Sequence, residues 1–361
     1  MLLLRTYNKW AKNRTVPVSF NNHINHPIDT TLFHQAAHTE IMTNGFKVSP
    51  LKIIHAASIH YSGRFGSNSH MKFINAFIEI FTSVEPYDAT GLLYFNKSEN
   101  SEFQGRSSEA IAVGLCISLS EKLFNVNRSR IGLINGSGKR CDFSLIKDGL
   151  EYFIESKGRK NNIKSAIKDV FVKKTHYAAI SPKYGFISRI PRGKKQTTIE
   201  VVDPEFTPNE ISRSELIRRL LVHYTKVAAL AGFWRLSDQL ESRATAIYKG
   251  TEITELENRQ LDYENILKLG NSITINYGEN DFNIFLPNEV RSVFKKDFDG
   301  NVALFPMEQS LIEILNNQDY ESLINYNLLK EEPREGVNLS VSTDGSVLIM
   351  ASREEVQDAI R

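Results

Sequence analysis

The chain has 361 residues, of which 41% are hydrophobic and 24% charged, and its formal net charge is +2. These proportions are ordinary for a globular protein and exclude a disordered chain, and the length is sufficient for two domains. Cys116 and Cys141, the two cysteines, are too few for a disulfide framework and are consistent with a reducing compartment. Arg5 follows an apolar run of four residues, and the longest nearly apolar runs are far shorter than the roughly 20 residues of a membrane span. We therefore expect a cytoplasmic protein without a membrane partner.

Positive charge is concentrated in one part of the chain. Between Arg128 and Lys195 there are seventeen Lys or Arg residues and five acidic residues, so this segment carries about +12 and the remainder about −10. A basic surface of this kind is typical of proteins that bind polyanions. The alternative interpretation is a solvated basic face without a ligand.

Residues 1–102 are predicted to form an N-terminal extension that is rich in α-helix. Residues 1–30 look irregular, and helices are predicted over residues 31–43 and 71–82. His34 and His38 have a spacing that suits zinc on a helix, but Gln35 stands where the zincin motif needs glutamate. Ordinary surface or packed histidines are favoured there over a metal site.

A helix is predicted over residues 107–124, because apolar side chains recur there every four residues, at Ile111, Leu115, Leu119 and Leu123. Ser107 or Ser108 would cap this helix. Glu109 would then lie in the first turn, where a carboxylate suits the helix dipole. That position alone is one sufficient explanation of Glu109.

A strand is predicted over residues 131–134, followed by a glycine-rich turn over residues 135–139. The turn fails the phosphate-loop template, because Leu133 stands where the first glycine belongs and Arg140 replaces serine or threonine. An NTPase is therefore not expected. The turn is better interpreted as a tight connection that places Lys139 and Arg140 near a nucleic-acid phosphate.

Residues 140–146 and 151–157 are predicted to form two strands joined by Asp148 and Gly149. An Asp-Gly pair between strands favours a type I′ turn, which needs positive φ at both central residues. With these two residues as the loop, Asp142 lies directly opposite Glu155. Side chains alternate along a strand, so Lys157 shares their face.

Two opposed carboxylates are destabilising unless a positive charge compensates them. Their hard oxygen atoms suit Mg²⁺ or Mn²⁺, ions that keep several waters and bridge to phosphate. The ammonium of Lys157 could orient or deprotonate the attacking water, or stabilise charge on the phosphate. The alternative is a surface hairpin in which Lys157 merely neutralises Glu155.

Asp142, twelve intervening residues and then Glu155-Ser156-Lys157 resemble the signature of the PD-(D/E)xK nuclease superfamily. The resemblance covers about residues 103–190, and Cys141 stands where the signature has proline. It implies an α/β fold, namely a restriction-endonuclease-like α/β sandwich with a mixed sheet.

The resemblance also implies roles for individual residues. Asp142 and Glu155 would be catalytic residues that bind Mg²⁺ or Mn²⁺, and Lys157 would position or activate water. Glu109, on the helix before the first strand, would be a further catalytic and metal-binding residue.

The predicted nuclease core spans residues 103–203 and includes a helix over residues 163–175 with outward-facing lysines. The basic residues expected to bind nucleic acid are Lys139, Arg140, Arg159, Lys160, Lys164 and Lys168. Pro204 and Pro208 mark a boundary. Residues 204–361 are expected to form a mainly α-helical region with some strands, serving as an accessory or oligomerisation region that binds a second copy or another protein.

The expected function is a metal-dependent endonuclease that acts on DNA rather than RNA, in restriction or phage defence. Only the resemblance favours DNA. A catalytically inactive nucleic-acid-binding protein with the same fold is the first alternative. The second is an assembly protein whose basic stretch binds an acidic partner.

Overall fold

The computed structural model describes residues 8–21, 28–61, 80–81, 91, 93, 101–134, 141–176, 183–191, 195–202, 209–257, 272–277, 280–285, 301–328 and 339–352. Within these ranges the protein is mixed α/β. The helices are α1 (Asn8–Ala11), α2 (Gln35–Asn44), α3 (Pro50–Tyr61), α4 (Ser101–Phe124), α5 (Lys164–His176), α6 (Arg213–Leu230), α7 (Trp234–Tyr248), α8 (Ile253–Glu257), α9 (Gln309–Asn317) and α10 (Tyr320–Asn325). The strands are β1 (Arg14–Val16), β2 (Val18–Asn21), β3 (Phe46–Val48), β4 (Ile131–Leu133), β5 (Phe143–Lys147), β6 (Leu150–Arg159), β7 (Lys183–Arg189), β8 (Thr198–Val202), β9 (Asn209–Glu210), β10 (Ser272–Tyr277), β11 (Asn280–Phe285), β12 (Asn301–Leu304), β13 (Met307–Glu308), β14 (Leu339–Val341) and β15 (Val347–Ser352).

The chain divides into two compact units. The central-sheet unit comprises Lys12–Tyr61 and His70–Ile211, and the C-terminal unit comprises Met1–Ala11, Ser62–Ser69 and Ser212–Arg361. The candidate site belongs to the central-sheet unit.

A mixed sheet organises the central-sheet unit. Among the described residues it has seven strands, in the order β2-β8-β7-β6-β5-β4, with β9 paired to β6. Strand β6 is antiparallel to β5 and parallel to β7, and β2 is parallel to β8. Strands β1 and β2 form where the sequence predicts irregular structure. Through β2, part of the predicted N-terminal extension belongs to the same sheet as the candidate site.

Helix α4 covers one face of this sheet. A Cβ atom on Gly158 would collide with the main-chain oxygen of Ser108, so the helix backbone lies directly against β6 at that point. Because side chains alternate along a strand, this face also carries Ser156. The opposite face of β6 carries Glu155 and Lys157.

Helix α5 covers that opposite face. Its Ala166 and Val170 form a buried cluster with Ile187 of β7 and Val202 of β8. Ile187 is the register partner of Lys157, so the cluster and the lysine share one face of the sheet. The described part of the unit is therefore a mixed sheet between helices, as the sequence predicts at this level of detail.

The start of α4 differs from the prediction. The helix begins at Ser101 rather than near residue 107, so Glu109 lies in the third turn and not at the helix N-terminus. Ser107 and Ser108 are buried against the sheet at 0% and 4% exposure and are not caps. Both serines lie inside the helix, so neither is its N-cap. Glu109 is too far from the helix N-terminus for the predicted interaction with the helix dipole.

The described part of the C-terminal unit is α+β. Helix α6 is capped by Ser212, whose hydroxyl accepts the N–H of Glu215 at 3.2 Å. The described strands of the unit form two three-stranded sheets, β10-β11-β13 and β12-β15-β14. Among the described residues of this unit, more lie in helices than in strands, and the strand pairing between β12 and β15 joins residues far apart in sequence. Among the described residues, no helix is both long enough and apolar enough to span a membrane.

Candidate active site

The turn at Asp148 and Gly149 fixes the register of β5 and β6. Their φ angles are 52° and 76°, the positive values that a type I′ turn requires. Lys147 pairs with Leu150, and the ladder continues to the last pair, Phe143 with Ile154. Asp142 directly precedes Phe143, and extending the same register by one step sets it opposite Glu155. The predicted hairpin register is confirmed.

Glu155 is an almost completely buried carboxylate, with 1% of its surface exposed. Its Oε1 atom lies 2.5 Å from Nζ of Lys157, whose side chain is 21% exposed. A buried carboxylate needs a charge or hydrogen-bond partner, because the protein interior solvates charge poorly. The pair is therefore not the surface ion pair of the alternative interpretation, although its lysine end reaches solvent.

Asp142 is held by the main chain of the neighbouring strand. Its Oδ2 atom accepts the N–H of Ser156 at 2.9 Å. Within the described residues its Oδ1 atom accepts no hydrogen bond, and the side chain is half-buried. The hydrogen bond from Ser156 thus fixes the orientation of the carboxylate.

Cys116 of α4 lies close to Asp142 and Glu155. Its thiol is buried beside Ser156 and Ser120. Burial raises the pKa of the Cys116 thiol far above its usual range, and the negative charges of Asp142 and Glu155 raise it further. A thiol held protonated in this way is a poor nucleophile. Sequence reasoning did not place this cysteine near the site.

Glu109 is exposed on α4, and its main-chain nitrogen lies next to Gly158. The helix lies on the opposite face of β6 from Glu155 and Lys157. Within the described ranges, no group of three or more His, Cys, Asp or Glu side chains is placed to hold a metal ion. The fold therefore brings Asp142, Glu155 and Lys157 together and does not bring Glu109 into a three-acid cluster with them.

The predicted nucleic-acid-binding residues differ in their exposure to solvent, and two of them are not described by the structure. Lys139 and Arg140 lie outside the described residues. Arg159, at the end of β6, is half-buried; its Nη2 atom lies 3.2 Å from Oδ2 of Asp169, and its Nη1 donates to the Gly158 oxygen at 3.0 Å.

The remaining three are lysines near α5. Lys160 is half-buried, and Lys164 and Lys168 are exposed. The last two are four residues apart on α5, so they lie on one side of that helix. Helix α5 covers the sheet face that carries Glu155 and Lys157. The positive charges of Lys164 and Lys168 therefore lie on the same side of the sheet as the candidate site.

The histidine pair of the N-terminal segment has an ordinary structural explanation. His34 is exposed, whereas the ring of His38 lies edge-on to Phe20 with centroids 4.7 Å apart. Burial lowers the pKa of His38. This imidazole packs as part of an aromatic cluster.

No family model matches the chain, and neither curated proteins nor solved structures give a significant match.

Proposed function

We propose that the chain is a metal-dependent nuclease of the PD-(D/E)xK superfamily, with a restriction-endonuclease-like central-sheet unit. The observation that carries the proposal is the buried carboxylate of Glu155, which the hairpin register sets opposite Asp142 and beside the ammonium of Lys157.

The donor set fits Mg²⁺ or Mn²⁺. These ions bind through one or two protein carboxylates and complete their coordination with waters and substrate phosphates. Asp142 and Glu155 supply two such carboxylates, so a third protein ligand is not needed. Glu109 stays a proposed catalytic and metal-binding residue on the resemblance alone, since α4 lies on the other face of β6 from Glu155 and Lys157.

Each residue then has a distinct task. A bound metal ion would supply Lewis acidity and lower the pKa of an attacking water. The N–H of Ser156 holds Asp142 in one orientation before substrate binds. Lys157 would hold the attacking water or stabilise negative charge on a phosphate oxygen.

The resemblance alone extends the proposal further. On that basis the substrate is DNA rather than RNA, the cut is endonucleolytic, and the setting is restriction or phage defence in the cytoplasm. The C-terminal unit would bind a second copy of the chain or another protein.

The test is cleavage of supercoiled plasmid with Mg²⁺ or Mn²⁺. We expect Asp142→Asn, which keeps the side-chain shape, to reduce metal-dependent cleavage by at least about 100-fold, and Lys157→Ala to act similarly. Asp148→Asn is the matched control, because it removes the same charge from the turn of the same hairpin and asparagine tolerates positive φ. Equal cleavage by Asp142→Asn and Asp148→Asn would contradict the proposal.

A catalytically inactive nucleic-acid-binding protein is the second candidate. The contact between Lys157 and Glu155 favours it, because the ammonium already neutralises the carboxylate without a metal. Calorimetric titration with Mn²⁺ separates the two candidates. The nuclease predicts binding that Asp142→Asn weakens, whereas the inactive protein predicts no metal binding and no cleavage, with binding of nucleic acid retained.

A further inference from the structure

Two arginines lie side by side where β6 and β7 end. Arg159 and Arg189 are register partners in this parallel pair. Side chains alternate along each strand, so Arg159 shares a face with Glu155 and Lys157, and Arg189 lies on that face of the neighbouring strand. The two strand backbones are about 4.8 Å apart.

The charges of this arginine pair are only partly balanced. Like charges on adjacent strand positions are destabilising unless an anion lies between them. Asp169 of α5 contacts Arg159, and both side chains of that ion pair are partly exposed. Arg189 is exposed, and no ion pair of its side chain occurs among the described residues. The pair therefore presents net positive charge to solvent.

The main chain holds both arginines in place. The N–H of Ile190 donates to the oxygen of Arg159 at 2.7 Å, which ties the two strand ends together. Arg159 also donates to the oxygen of Gly158. Two guanidinium groups on such a frame suit the oxygens of a phosphate, which arginine binds with two parallel hydrogen bonds.

Arg159 lies two residues beyond Lys157, which is about 6.6 Å along the strand. The arginine pair therefore lies one step further along the strand than the Lys157 ammonium, so the two positions can contact different phosphates of one polymer. A polymer with regularly spaced phosphates satisfies both positions at once. Exposed Lys164 and Lys168 on α5 add positive charge on the same side of the sheet.

We propose that Arg159 and Arg189 bind a nucleic-acid backbone phosphate adjacent to the one held at Asp142, Glu155 and Lys157. The inference rests on the proposed function of that site. It assigns Arg189 to substrate binding. The bound nucleic-acid strand would pass the ends of β6 and β7.

The test measures binding of a short labelled DNA duplex in EDTA at several salt concentrations. We expect Arg189→Ala to weaken binding about five- to tenfold and to reduce the magnitude of the slope of log K against log salt by about one. Arg189→Lys should recover part of the affinity, since it keeps the charge but not the bidentate geometry. Arg235→Ala is the control, because Arg235 is exposed on α7 of the other unit and carries the same charge.

Affinity and salt slope of Arg189→Ala equal to those of Arg235→Ala would overturn the inference. An equal loss of affinity for polyglutamate and for DNA would also overturn it, since the pair would then bind acidic groups in general.

The cleavage assay is separate from this measurement. A wild type that binds through Arg189 but never cuts contradicts the nuclease, whereas a wild type that cuts while Arg189→Ala binds normally contradicts only the assignment of Arg189.

Discussion

Two acids among the described residues of the central-sheet unit are almost completely buried, and their partners distinguish them. Glu121 of α4 is paired with Arg128 at 2.8 Å, and both side chains are 2% exposed. Glu155 is equally buried, but its partner Lys157 is 21% exposed. The first pair is closed to solvent and can only stabilise the fold. The second has one end open to solvent, where a ligand can reach it.

This difference predicts a purely structural role for Glu121. Glu121→Gln should lower the free energy of unfolding by about 3 kcal/mol, because it removes the carboxylate charge that the buried guanidinium of Arg128 contacts at 2.8 Å. The matched control is Glu40→Gln, which breaks the partly exposed contact of Glu40 with Lys122 at 2.9 Å and should cost less than about 1 kcal/mol. Chemical denaturation measures both. Equal losses of stability would contradict the assigned role.

At the residue scale, the sequence predicts those contacts that a local turn determines. Asp148 and Gly149 leave one register for the hairpin, and extending that register one step beyond Phe143 and Ile154 sets Asp142 opposite Glu155. The Glu121–Arg128 pair was not predicted, because α4 ends at Phe124, between the two residues, and Arg128 belongs to the 3₁₀ turn at Arg128–Arg130. Cys116 was not predicted near the site for a related reason, since its place depends on how α4 packs on β6.

At the scale of elements, the contact of α4 with β6 determines where the helix lies relative to the hairpin. Gly158 permits that contact, because it has no Cβ to separate the two backbones. Gly158 follows directly after Lys157, so a displacement of the backbone at Gly158 would also move Lys157. Gly185 has a related role on β7, where Val170 of α5 and Val202 occupy the space of a side chain.

Gly158→Ala should therefore destabilise the protein by about 1–3 kcal/mol, as an added methyl group forces α4 away from the sheet. Gly132→Ala in β4 of the same sheet is the control, because the nearest atom to its added Cβ is 4.0 Å away. That variant should change stability by no more than about 1 kcal/mol. Thermal denaturation followed by circular dichroism tests both. If the Gly158→Ala protein is as stable as the Gly132→Ala protein, the backbones of α4 and β6 are not in tight contact at Gly158.

The elements themselves were predictable to different degrees. The hairpin β5–β6 and helix α5 follow from local turn and periodicity signals, and both are present. Strand β2 was missed, because four residues give little periodic signal and its pairing with β8 joins positions about 180 residues apart. The early start of α4 was missed because burial of Ser107 and Ser108 is a tertiary effect that their cap-forming tendency conceals.

At the scale of the whole molecule, net charge conceals how charge is distributed. The total of +2 alone would predict weak attraction to a polyanion, whereas the segment from Arg128 to Lys195 carries about +12. Arg189, Lys164 and Lys168 belong to this segment and are exposed. Local charge rather than the total determines attraction within a Debye length, about 8 Å at physiological salt.

The local distribution predicts unequal effects from two variants with the same net charge. Lys164→Ala combined with Lys168→Ala removes two positive charges beside the site, and Lys47→Ala combined with Lys249→Ala removes two exposed charges outside the basic segment. The first variant should reduce the magnitude of the slope of log K against log salt for duplex DNA by about two, and the second should leave it unchanged. Fluorescence anisotropy at several salt concentrations measures both slopes. Equal slopes in the two variants would mean that overall charge governs binding, and α5 would then not border the nucleic-acid surface.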